Sequence, residues 1–348
     1  MRIILIGHGV VGQSFSRILL RRQAELIRDY GFHPKVVAIV DKGGAAVNPK
    51  GLNLEEMLSL KVGKGTVAAD RECGHPKMQG LDVIESVEAE VMVEATPTNI
   101  KNGEPGLSHI KKAFRTRKHV VTTNKGPLAL ALPVLAELAE YNKVYLKFSG
   151  AVGAGTPVLD FAKKCLLGDR IISIRGVLNG TTNYILTEMD EKHVTLEQAL
   201  RNAQKLGFAE VNPSLDIDGI DTACKLVIIA NWIMNKNVTL KDVNVKGIRS
   251  VTPQALEEVT KKGCTIKLIG SIDGGLKVMP TEISRDDFLS VGGVLNAVTF
   301  VSEFAGEETV IGRGSGGMET ASAVLRDLLD IRNLINQTGI VKPGGLVT

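Results

Sequence analysis

Short apolar runs rich in Val and Ile alternate with stretches of helical periodicity over residues 1–150. RIILI at 2–6 reads as a strand. Residues 10–30 have helical spacing and turn amphipathic towards their end. KVVAIV at 35–40, VMVEA at 91–95 and HVVTT at 119–123 read as further strands. A basic helix is expected around 107–117 and another over 127–142, where a proline stands in the first turn. A strand follows at 144–148. Strands that alternate with helices imply βαβ units, and continuous apolar strands imply burial on both faces. The expectation is an α/β domain with a doubly wound parallel sheet.

The pattern changes at residue 149. SGAVGAGTP at 149–157 is too rich in Gly and Ala to be regular throughout. A helix at 158–167 and a strand at 171–176 precede LNGTTN at 178–183. Residues 195–206 and 220–234 have helical spacing. Strand-like runs at 265–271, 276–283 and 298–304 fill the last third. The second domain is therefore expected to be α+β with an open sheet. A final helix at 320–334 follows the glycine-rich segment 312–317. The expected organisation is a dinucleotide-binding domain over 1–150 and a substrate and dimerisation domain over 151–311. The segment 312–348 would return to the first domain.

Composition narrows the class. A chain of 348 residues exceeds one ordinary core, so about two domains are expected. Aromatics are only 4%, so the core must come from aliphatic side chains. A net charge of +4, with its Lys and Arg dispersed, offers no face for nucleic acid. Cys73, Cys165, Cys224 and Cys264 form no CxxC pair, which suits a reducing compartment. Neither a leader segment nor a run of about 18 apolar residues is found, so a cytoplasmic protein off the membrane is expected.

GHGVVG at 7–12 follows the first strand and opens the first helix, the context a dinucleotide fingerprint requires. Gly7 allows the tight turn, Gly9 lets the backbone approach a pyrophosphate, and Gly12 lets helix and strand pack closely. Val10 and Val11 open a helix whose free N–H groups face the phosphates. Asp41 ends the second strand, where a carboxylate usually takes the ribose hydroxyls of NAD. Lys42 follows it and would attract the 2′-phosphate of NADP, so NAD and NADP both stay open. Thr96 and Lys125 end two later strands, where ligands of such sheets sit.

Residues 207–225 gather Glu210, Asp216, Asp218, Asp221 and Lys225. Asp221 and Lys225 share one face of a helix otherwise strongly apolar. Such a pair on a buried helix is directed into a cleft.

GVLNGTTNYIL at 176–186, the acidic stretch after it, TNKG at 123–126, AVGAGTP at 151–157 and GRGSGGMETASA at 312–323 together resemble the homoserine dehydrogenases, in that family's order. The resemblance implies a Rossmann domain and NADP or NAD as cofactor. It implies interconversion of L-homoserine and L-aspartate 4-semialdehyde in threonine, methionine and isoleucine biosynthesis. Lys225 then corresponds to the catalytic lysine, Asp221 to its supporting carboxylate and Lys125 to a second essential lysine beside the nicotinamide. Glu210 and Asp216 correspond to acids that bind the substrate, with Gly180 and Thr181 at the substrate loop. Backbone carbonyls of Val152, Ala154 and Thr156 would hold a monovalent cation, Na+ or K+. A glutamate common before that segment is Ser149 here. A homodimer is also implied, and no ACT or aspartate kinase domain is expected.

An acyl-phosphate-forming semialdehyde dehydrogenase would need a cysteine nucleophile, and no cysteine sits in such a context. A nucleotide-binding regulator without chemistry is opposed by Glu210, Asp221 and Lys225 standing together.

Overall fold

The computed structural model describes residues 1–338, and the chain forms two units, each with its own sheet. The first comprises Met1–Pro127, Val134–Gly150 and the described chain from Thr320 onward. Of the segment 312–348, residues 339–348 lie outside the described residues.

In the first unit β1 (Arg2–Ile6), α1 (Val10–Tyr30) and β2 (Lys35–Asp41) form a βαβ unit. There follow β3 (Gly44–Val47), α2 (Leu54–Lys64), β4 (Gly74–His75), α3 (Gly80–Ser86), β5 (Val91–Glu94), α4 (Gly106–Arg115), β6 (His119–Thr122), α5 (Lys125–Tyr141) and β7 (Leu146–Lys147). The sheet order is β4-β3-β2-β1-β5-β6-β7. From β2 to β7 neighbours run parallel, while β3 and β4 add an antiparallel edge. That edge was not expected, because its strands are too short to carry a period. The chain leaves β1 towards β2 on one side and β5 on the other, so a topological switch point lies beside β1. The helix expected at 127 begins at Lys125, because the side chain of Asn124 accepts the N–H of Gly126 and caps it.

The second unit comprises Leu128–Pro133 and Ala151–Glu319. After α6 (Val158–Asp160) and a π-turn (Phe161–Cys165) come β8 (Ile171–Val177), α7 (Gly180–Lys192), α8 (Leu196–Lys205), α9 (Ser214–Ile217) and α10 (Ile220–Ile233). Then follow β9 (Val243–Val245), α11 (Pro253–Thr260), β10 (Cys264–Ile272), β11 (Leu276–Ser284), β12 (Leu295–Ser302) and β13 (Gly306–Arg313). Here α12 (Gly317–Thr338) begins. The strand order is β13-β12-β8-β10-β11-β9, antiparallel except for β11 with β9. The strand expected at 298–304 starts earlier and stops at Ser302, where a turn through Gly306 (φ +78°) leads into β13.

The first core joins Ile3, Leu5, Ile39, Val93 and Val121 of the strands to Phe15 and Leu19 of α1 and to Val324, Leu328 and Ile331 of α12. Burying each such side chain contributes about 1.5–3 kcal/mol. In the second unit every residue from Thr222 to Asn231 on α10 is buried. Among the described residues no helix is long and apolar enough to cross a membrane.

Candidate functional site

The glycine turn between β1 and α1 is shaped by close contacts on two sides and open space on a third. Gly7 has φ +99°, and a Cβ there would stand 2.5 Å from the carbonyl oxygen of Ala95. A Cβ on Gly12 would stand 2.2 Å from the Gly7 carbonyl. Gly9 has nothing within 4 Å of its Cβ direction. Gly9 is the N-cap of α1, which has no side-chain cap and no acid in its first turn. Its leading N–H groups, those of Val10 and Val11 among them, and the positive end of the helix dipole are left for an anion. His8 is buried, its Nε2 3.3 Å from Ser16 Oγ and its Nδ1 without a partner. Burial lowers its pKa to about 4, so the ring is neutral near pH 7. An open, uncapped glycine turn fits a dinucleotide pyrophosphate.

Asp41 ends β2 as expected, but its carboxylate is already engaged. One oxygen accepts from Gly43 N–H at 2.9 Å and Thr66 Oγ at 2.7 Å. The other accepts from Lys61 Nζ at 2.8 Å and Val67 N–H at 3.1 Å. Burial by itself would raise this carboxyl's pKa, yet the hydrogen bonds led by Lys61 and Thr66 outweigh it and hold it below the usual range. The expectation of a carboxylate open to ribose hydroxyls thus meets one whose acceptor positions the chain itself fills. Lys42 is exposed.

Thr96 follows β5 and Lys125 opens α5. Asn124, between β6 and Lys125, donates from Nδ2 to Thr96 Oγ at 3.2 Å and to the Pro97 carbonyl at 3.3 Å. Thr96 Oγ in turn donates to Glu94. The other Glu94 oxygen accepts from His109 Nδ1 at 2.7 Å. Lys125 is half-buried.

In the second unit the acid-and-lysine cluster assembles around Asn179, the N-cap of α7. Lys225 Nζ lies 2.8 Å from Asp221 and donates to the Leu178 carbonyl at 2.5 Å. Asn179 Nδ2 donates to Asp221 at 2.9 Å and to Asp216 at 2.6 Å. Its Oδ1 accepts the N–H of Thr182. Asn179 was missed in the sequence, although an Asn just before a helix is a capping signal. Gly180 is the first residue of α7, and Thr181 Oγ donates to the Phe208 carbonyl at 2.7 Å.

Not every candidate joins the cluster. Glu210 is exposed, and its carboxylate has no partner among the described residues. Asp218 pairs with Arg249 at the surface. In the segment 151–157, Gly153 (φ +86°) and Ala154 (φ +47°) are both left-handed, and Val152 and Ala154 are buried. The Thr156 carbonyl already accepts the N–H of Val158. Ser149, where the glutamate was expected, bonds Asp327 through both its N–H and its Oγ.

The chain matches two family profiles: homoserine dehydrogenase, NAD binding domain, over residues 7–149, and homoserine dehydrogenase over residues 157–329. It is 46% identical to a homoserine dehydrogenase of Methanocaldococcus jannaschii, over 96% of this chain and 99% of that one. It is 37% identical to an NAD(+)-dependent homoserine dehydrogenase of Pseudomonas canavaninivorans, over 95% of this chain and 96% of that one. Among solved structures it resembles a hyperthermophilic archaeal homoserine dehydrogenase in complex with NADPH. The TM-score is 0.83 and the identity 29%, covering 96% of this chain and 98% of that one.

Proposed function

The chain belongs to the homoserine dehydrogenase family and has its NAD(P)-dependent activity, and from that premise we propose that Lys225, held by Asp221 and Asn179, is its catalytic lysine. When bound, NAD(P) supplies or takes up the hydride. An ammonium has three N–H donors. Two are spent on Asp221 and the Leu178 carbonyl, and the third serves the C4 oxygen of the substrate. As the aldehyde of aspartate semialdehyde is reduced, negative charge grows on that oxygen, and a fixed cation meets it there.

Asn179 holds Asp216 and Asp221 side by side, and Asp221 also pairs with Lys225. Carboxylates suit the substrate's own ammonium group, with Asp216 as its contact and Glu210, from its exposed loop, as a second. Gly180 and Thr181 open α7 with N–H groups suited to the substrate carboxylate. In the other unit the glycine turn takes the pyrophosphate, and Thr96 and Lys125 border the nicotinamide.

The engaged state of Asp41 supports use of NADP as well as NAD. A free carboxylate would repel a 2′-phosphate, whereas Lys61 neutralises this one and exposed Lys42 adds a cation. Cation binding at Val152, Ala154 and Thr156 remains part of the proposal on resemblance alone. So does dimerisation through the second sheet, whose edge strand β13 carries a half-exposed Ile311.

The cluster around Lys225 is the observation that carries this reading. Lys225→Ala should cut homoserine oxidation by about 10³-fold or more while NADPH binding, followed by fluorescence, is kept. Near-normal turnover would reject the assignment.

A further inference from the structure

Glu94 is fully buried at the carboxyl end of β5, beside a buried His109. Taking a carboxylate out of water costs several kcal/mol, and a buried ion pair is often no more stabilising than apolar packing. The backbone there needs no such help: the Glu94 carbonyl already accepts the N–H of Thr123, and β5 pairs with both neighbours. Its side chain is engaged on three sides. Thr96 donates to it through both N–H and Oγ, and His109 through Nδ1.

The direction of the chain of bonds is fixed. Asn124 Oδ1 accepts from Gly126 N–H, so its Nδ2 is the donor to Thr96 Oγ. Thr96 Oγ then has its one hydrogen left for Glu94. Two glycines leave no slack around these groups. A Cβ on Gly80 would stand 2.6 Å from His109 Nε2, and one on Gly106 would stand 2.7 Å from Asn124 Nδ2.

We infer that Glu94, steadied by His109, is a positioning residue for the reaction. Through Thr96 and Asn124 it sets the segment after β5 and the head of α5, and so places Thr96 and Lys125 against the nicotinamide. This rests on the reading of those two residues given above.

The test compares Glu94→Gln, Thr96→Val, Thr96→Ser, His109→Leu and His109→Gln, with Lys125→Ala alongside. Each is assayed for kcat, for KM of cofactor and of homoserine, and for the isotope effect with homoserine deuterated at C4. Glu94→Gln and Thr96→Val should lower kcat about 10- to 100-fold, raise cofactor KM and raise the isotope effect, as hydride transfer becomes limiting. Homoserine KM should hold. Thr96→Ser keeps the hydroxyl and should keep most of the rate, and His109→Gln keeps a donor and should outperform His109→Leu. A purely structural role would lower the active fraction with KM and isotope effect unchanged, and that result overturns the inference. Near-normal rates in Lys125→Ala would sink the underlying reading and this inference with it. A large loss there beside normal Glu94→Gln and Thr96→Val would sink the inference alone.

Discussion

Lys225 Nζ and Asp221 Oδ2 stand 2.8 Å apart, one helical turn apart on α10, with side chains only 7% and 10% exposed. An ammonium so little hydrated needs its anion to compensate for the water it has lost. In Asp221→Asn the shape is kept, but the charge that compensates the buried ammonium is lost. The expected outcome is a loss of about 10- to 100-fold in aldehyde reduction near neutral pH. NADPH binding, followed by fluorescence, should be kept. Turnover close to that of the parent would show that Lys225 does not depend on this partner.

Gly9 and Gly12 differ in what a methyl group would meet. On Gly12 it would collide with the Gly7 carbonyl, so Gly12→Ala should lower the melting temperature. On Gly9 it meets nothing within 4 Å, and Gly9 has φ −83°, which any residue adopts. Gly9→Ala should therefore fold with a normal Tm yet bind NADPH about tenfold or more weakly, because the methyl fills the approach to the phosphates. Calorimetry and a cofactor titration check both. Unchanged binding in Gly9→Ala would mean that the open side of the turn is not where the phosphates lie.

How much of this was legible in the sequence depended on spacing. The Asp221–Lys225 pair was readable because four residues on an apolar helix fix a common face. The glycine turn was readable because strand, turn and helix are contiguous. Asn179 was not, since it reaches Asp221 and Asp216 from 42 and 37 residues away. Glu94 passed as one letter of an apolar strand, although a carboxylate at the end of a buried strand must find donors. The fate of Asp41 depended on Lys61 of α2 and Thr66 just after it, and neither α2 nor the short β3 showed a period.

The Lys61–Asp41 pair bears on cofactor choice. Lys61→Met would leave Asp41 ionised by its remaining donors and without its counter-charge. A 2′-phosphate nearby would then be repelled. NADPH should lose about tenfold in kcat/KM, while NADH is unchanged or improves. Lys42→Ala should also weaken NADPH more than NADH. Steady-state kinetics with both cofactors decide it, and equal losses for both in each variant would remove these lysines from the 2′ site.

Lys267 gives a pH dependence of stability that is separate from the chemistry. It sits on β10, buried, with Nζ donating to Asn183 Oδ1 at 3.0 Å and Thr187 Oγ at 3.3 Å, both on α7. Burial lowers its pKa from lysine's ordinary 10.5 to about 8, only partly offset by the charges of Asp190 and Glu191. Below pH 8 both folded and unfolded chains carry the proton, and the folded state bears the cost of a buried charge. Between about pH 8 and 10.5 the unfolded chain holds a proton that the folded one has released, so the folded state gains as pH rises. The gain approaches about 1.4 kcal/mol per pH unit at most. Denaturant titrations of the parent protein and of Lys267→Met at pH 7.5, 8.5 and 9.5, chosen about this window, should show the difference in unfolding free energy moving in favour of the parent. The absolute effect of the variant is not the readout, because it also strips Asn183 Oδ1 of its donor. A difference that stays flat across the series would mean that Lys267 keeps its proton in the folded protein.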